Sequence, residues 1–146
     1  MPVRLTEKSR VVVELPMMMF LRLADGDGKM TAREMERFDE LLASRNWCHS
    51  SLLQRSLANT EAEKPELWKQ YTAGQLRASI DQVAASLDTI LGSLAPEERP
   101  DVEHDLVQFS WEILKAVRAE AGLLHGDKEA KATFDTFLEI IKRPSA

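Results

Sequence analysis

The chain predicts an all-α domain, and three observations carry that expectation. Ala, Leu, Glu, Lys and Arg dominate, while only six Gly and six Pro interrupt 146 residues, a mix that favours helix. Apolar residues recur at helical spacing, most cleanly at Leu76, Ile80, Val83, Leu87, Ile90 and Leu94, whose steps alternate between four and three. No stretch alternates apolar and polar residues for long enough to read as a strand.

Length and composition set further bounds. A chain of this size fits one domain, residues 1–146, and buries about two-thirds of its unfolded surface. Apolar residues make up 44% and charged residues 29%, as in ordinary soluble globular proteins. The net charge is −5 and no basic cluster is interleaved with aromatics, so nucleic acid is a poor partner. Cys48 is the single cysteine, which rules out an internal disulfide and a zinc ribbon. It reads as a partly buried thiol at a helix start, and its neighbour His49 diverges from it.

Residues 1–8 read as a loosely packed lead-in. Arg4, Lys8 and Arg10 precede an apolar run as in a signal peptide, but Glu14 and Pro16 interrupt the run, and Arg22 and Asp25 replace the small residues of a cleavage site. The run from Leu15 to Leu21 is too short for a bilayer, so it reads as a core helix of a cytoplasmic protein with no transmembrane segment. This helix is expected from Ser9 to Leu23, kinked or restarted at Pro16. It is apolar on nearly every side, which makes it central. Met17, Met18 and Met19 point in three directions on a helix, as core filling does and a soft-metal site does not.

A second helix is expected over residues 31–44, with Met35, Phe38, Leu41 and Leu42 inward. A short third helix carries Trp47, Leu53 and Leu57. The polar stretch Asn59-Thr60-Glu61-Ala62-Glu63-Lys64-Pro65 predicts a surface loop, after which Pro65 opens a short helix with Leu67, Trp68 and Tyr71. The next helix is expected over residues 73–92 and another over 96–120, with Val102, Leu106, Phe109, Ile113 and Val117 on one face. Acidic residues crowd the start of the latter, where the helix dipole favours them, and His104 reads as solvated. A last helix, over residues 127–142, turns Phe134, Phe137, Leu138 and Ile141 inward and stops at Pro144.

The stretch between the first two helices is the densest in chemistry. Asp25-Gly26-Asp27-Gly28 allows two readings. As a turn, Asp and Gly tolerate positive φ, and Thr31 then caps the next helix with Glu34 completing a capping box. As half of a calcium site, the loop places Gly28 at the sixth position of an EF-hand loop. Asp25 then falls at the third, Asp27 at the fifth, the Lys29 carbonyl at the seventh, Thr31 at the ninth and Glu34 at the twelfth. Leu23 stands where the first carboxylate belongs, and Lys29 and Arg33 dilute the field. Any binding of Ca²⁺ or another divalent cation is therefore expected to be weak, with a dissociation constant of about 10⁻⁴–10⁻³ M. Capping and ligation compete for the same Glu34 carboxylate.

Sliding the chain by 96 residues lays the first helix–loop–helix on the last. Leu21-Arg22 meets Val117-Arg118, Gly26 meets Gly122, Phe38-Asp39 meets Phe134-Asp135, and Leu42 meets Leu138. The echo predicts an internal duplication of a helix–loop–helix unit. The second loop is chemically different, with Ala121-Gly122-Leu123-Leu124 opposite Asp25-Gly26-Asp27-Gly28 and Ala130 opposite Glu34.

An apolar helix ending in Leu23-Ala24-Asp25-Gly26, followed by Gly28-Lys29-Met30-Thr31-x-x-Glu34 and a second apolar helix, resembles the tellurite-resistance TerB-like family. The later long helix, its glycine-containing loop and the Lys/Glu-rich final helix resemble it too, although the specific part is the first loop. The resemblance implies a compact bundle of about seven helices, acidic residues holding a divalent metal, and a role in stress-response or membrane-linked assemblies. Carried over residue by residue, it points to Asp25, Asp27 and Glu34, while in the second copy only Glu120, Asp127 and Glu129 could contribute.

Enzyme function is not expected. The sequence holds no glycine-rich phosphate loop, no Gly-x-Ser-x-Gly, no His-Glu-x-x-His and no second cysteine. The expectation is a non-enzymatic module that binds protein partners, with weak metal binding, or else a purely structural interaction domain without a metal site. The expected partners are proteins, a second copy of the chain among them.

Overall fold

The computed structural model describes residues 9–24, 31–121 and 126–143. Among them every regular element is helical, in the order α1 (Arg10–Ala24), α2 (Ala32–Ala43), α3 (Ser51–Thr72), α4 (Ile80–Ser93), α5 (Arg99–Ala121) and α6 (Gly126–Ile141).

Sequence places α1 at the centre, and packing bears this out. The helix contacts α3, α4, α5 and α6, and its residues from Val12 to Ala24 are buried except Glu14 and Arg22. An all-round apolar helix can hide its surface only by being enclosed. Pro16 does not restart it. Proline has no N–H to offer the carbonyl four residues back, and the Val12 carbonyl instead accepts a hydrogen bond from Ser56 Oγ at 2.8 Å. One residue on, the Val13 carbonyl accepts from Thr60 Oγ1 at 2.7 Å.

Those two hydroxyls explain the main departure from the expected elements. The polar stretch 59–65, expected as a loop, lies inside α3, which runs unbroken from Ser51 to Thr72. Thr60 is fully buried against α1, while Glu61 and Pro65 face solvent, so the carbonyl that Pro65 leaves without a helical partner is on the wet side. Two expected short helices are thus one long one, and the described residues form six helices where about seven were expected. Arg10 pairs with Glu63 at 2.6 Å and fastens α1 to the same stretch.

The end of α3 falls where sequence periodicity had already begun a new helix. Gly74 takes a φ of +76°, a left-handed value that costs glycine little. The Gln75 N–H then reaches back to the Gln70 carbonyl at 2.8 Å and the Gly74 N–H to that of Tyr71, closing the helix in a Schellman arrangement. Leu76 enters the core from this turn. Helix α4 begins later than expected, at Ile80, with Ser79 and Gln82 forming a capping box.

Four phenylalanines fill the interior: Phe20, Phe38, Phe109 and Phe137 are essentially inaccessible. Phe20 of α1 stacks on Phe38 of α2 at 4.2 Å, and Phe38 meets the Phe109 ring edge-on at 6.1 Å. Trp47 lies parallel to Phe109 from the other side. The expected inward faces of α2 and α5 hold: Phe38, Leu41 and Leu42, and then Val102, Leu106, Phe109, Ile113 and Val117, are buried. The two helix pairs of the 96-residue echo pack differently. Helices α5 and α6 contact each other extensively, whereas α1 and α2 do not, although Phe20 stacks on Phe38 across them.

Candidate functional site

Of the five loop residues proposed from sequence, Thr31 and Glu34 are placed, and Asp25, Asp27 and Lys29 lie outside the described residues. Thr31 is the N-cap of α2. Its Oγ1 accepts from the Glu34 N–H at 3.2 Å, and its own N–H donates to Glu34 Oε1 at 2.7 Å. This is the reciprocal box that the turn reading expects. Glu34 is buried, at 3% exposure, with its carboxylate folded back onto the start of its own helix. As a twelfth-position ligand it would have to leave that box. The same position thus serves stability in the described structure, and ligation would compete with it.

A second constellation has no counterpart in the sequence reading. Asp105, on α5, is fully buried and faces the approach to α3. Its Oδ1 accepts from the backbone N–H of His49 at 2.8 Å, and its Oδ2 from that of Ser50 at 2.7 Å. Ser50 is the N-cap of α3, where its Oγ accepts from the Leu53 N–H. One carboxylate therefore caps the helix start from a distant element and places its negative charge at the positive end of the α3 dipole. His104 Nδ1 lies 3.1 Å from the same Oδ1. The His104 ring stacks face to face on that of His49, with centroids 3.8 Å apart and planes 5° off parallel. Both rings are solvent-exposed.

Spacing could not have found this group, because 55 residues separate His49 from His104 and each alone looks like a solvated histidine. The only local signal is the dipeptide His104-Asp105, which is too common to mean much. Cys48 turns inward as His49 turns out. Its thiol is buried, and burial, reinforced by the nearby Asp105 charge and only partly opposed by Arg45, pushes its pKa up to about 12. Such a thiol is inert as a nucleophile and as a metal ligand near neutral pH.

Three buried hydroxyls are committed to structure. The Ser56 and Thr60 hydroxyls donate to α1 carbonyls, and the Ser110 hydroxyl donates to the Leu106 carbonyl. A shallow groove of about 500 Å³ runs between α2 and α5. Glu112 on its wall accepts from Arg37 at 2.6 Å and pairs with Lys115 at 2.9 Å. Burial alone would raise the Glu112 pKa, but the hydrogen bonds and charges of Lys115 and Arg37 outweigh it and hold the group below the usual carboxylate value.

No family model matches the chain, nor does any curated protein or solved structure. Among the described residues, no helix is long and apolar enough to cross a membrane.

Proposed function

We propose that this chain is a non-enzymatic helical binding module of TerB-like type, which acts through protein partners in a stress-response setting. Its first interhelical loop would hold Ca²⁺ or a similar divalent cation weakly, through Asp25, Asp27, the Lys29 carbonyl, Thr31 and, on release from its cap, Glu34. In this reading the 96-residue echo is a duplicated helix pair within a bundle of about seven helices, and only the first loop has kept an acidic character. The observation that supports a binding role over catalysis is the state of the reactive groups. The Cys48 thiol is held protonated, and the Ser56, Thr60 and Ser110 hydroxyls and the Asp105 carboxylate are each spent on backbone hydrogen bonds. A nucleophile needs an accessible, deprotonated group, and none of these buried groups is one.

The capping box of Thr31 and Glu34 favours a second reading, a purely structural interaction domain in which Asp25-Gly26-Asp27-Gly28 is only a bend. Thermal unfolding with millimolar Ca²⁺ separates the two. At about 1 mM, a ligand that binds only the folded chain with a dissociation constant of about 10⁻⁴–10⁻³ M adds about 0.4–1.4 kcal/mol of stability. Under the metal-binding reading, Ca²⁺ raises the melting temperature more than Mg²⁺ does, and the double variant D25A/D27A abolishes the rise. Absence of a shift with either ion selects the structural reading.

A further inference from the structure

We infer that His49 and His104 form a surface site for a borderline transition-metal dication of the Zn²⁺, Ni²⁺ or Cu²⁺ class, oriented from behind by the buried Asp105 carboxylate. This site is separate from the loop proposed above and uses different chemistry.

The approach to α3 and the middle of α5 bring two imidazoles into contact, and the potential ligand atoms of His49, His104 and Asp105 all lie within 4.8 Å of one another. Two imidazole nitrogens on one tetrahedral metal sit about 3.3 Å apart, given metal–nitrogen bonds of about 2.0–2.1 Å. Reaching that geometry means unstacking the rings, which lie 5° from parallel. Lone pairs of parallel rings do not meet at a point, so the stacked rings must tilt edge to edge. The exposed His49 ring turns to do so, while His104, with 42% of its side chain exposed, keeps its contact with Asp105.

Asp105 Oδ1 lies within hydrogen-bonding distance of His104 Nδ1, and a carboxylate is an acceptor only. With the proton on Nδ1, the Nε2 lone pair of His104 is left for a metal. A carboxylate holding one ring nitrogen while the other ligates is the common arrangement of metal-bound histidines. Asp105 cannot swing out to serve as an ordinary exposed ligand, because both its oxygens are also held by the His49 and Ser50 N–H groups.

A helix N-terminus repels a cation, so two histidines beside the start of α3 would be poorly placed on their own. The buried Asp105 charge offsets that field at the one point where the rings meet. Two imidazoles completed by water suit Zn²⁺, Ni²⁺ or Cu²⁺, whereas Ca²⁺ and Mg²⁺ require oxygen ligands that this site does not supply.

The test uses the full chain without a histidine tag, titrated with ZnCl₂ and NiCl₂ by calorimetry and followed by thermal unfolding. We expect one saturable Zn²⁺ per chain, no competition from millimolar Ca²⁺, and affinity at least about tenfold weaker in His49→Gln and in His104→Gln. Both rings are exposed, so these variants retain the fold, which circular dichroism checks. The D25A/D27A variant should bind Zn²⁺ like the unsubstituted chain, whatever happens to its Ca²⁺ response. The inference is overturned by absence of saturable binding, by binding that survives in the double variant H49Q/H104Q, or by Zn²⁺ affinity that falls with D25A/D27A.

Discussion

The contact between α1 and α3 makes a quantitative claim about Pro16. Without Ser56, the Val12 carbonyl would be a buried acceptor with no partner, since Val12 is 2% exposed and proline cannot donate to it. The Ser56 hydroxyl, 2.8 Å away and itself 1% exposed, replaces the missing helical donor. Ser56→Ala removes one oxygen and leaves little cavity, so its cost is that of orphaning the carbonyl, about 1–3 kcal/mol. For a chain of this size that is a fall in melting temperature of roughly 3–10 °C. Urea unfolding should show a lower midpoint with an unchanged slope. The decisive measurement is a double-mutant cycle with Pro16→Ala, which restores a backbone N–H in α1. If Ser56 substitutes for that donor, Ser56→Ala should cost about 1 kcal/mol less in the Pro16→Ala background. Equal costs in both backgrounds, or a cost near zero in the parent, would refute the account. Thr60 has one proton and two acceptors in reach, the Val13 carbonyl at 2.7 Å and that of Ser56 at 2.8 Å. The isosteric change Thr60→Val tests the neighbouring bond in the same way.

Two pH predictions accompany this one and the two metal titrations. Because the folded state holds the Glu112 carboxyl below its ordinary value of 4.5, ionised Glu112 favours the fold above that pH, and the contribution is lost as pH falls through the folded-state value. Stability measured down the acid limb should therefore fall less steeply in Glu112→Gln, and an identical slope would show that the Arg37–Glu112–Lys115 cluster contributes nothing. Cys48 acts at the other end: its pKa rises from 9.0 to about 12, so the protonated thiol favours the fold fully below pH 9.0 and ever less as the pH rises towards 12. Cys48→Ala should flatten that alkaline loss, and a disulfide reagent at pH 8 should label the native thiol far more slowly than the unfolded one. Equal labelling rates would contradict its burial.

Sequence alone determined the fold class, the centrality of α1 and most inward faces. The physical reason is that burying a helix requires an apolar stripe at a period of 3.6, and such a stripe is written locally. The Thr31–Glu34 capping box was legible for the same reason, since both partners sit within one turn. The continuity of α3 was not. Polarity at 59–65 reads as a loop, and only tertiary packing shows that Thr60 is buried with an acceptor on α1 in reach of its hydroxyl. The same holds for Asp105, whose charge is tolerable in the interior only because two N–H groups at the start of α3 meet it. The His49–His104 pair likewise exists only once α5 lies across that helix start. Local pattern decided which segments coil and which faces turn inward; what each buried polar group bonds to was decided by elements far apart in the chain.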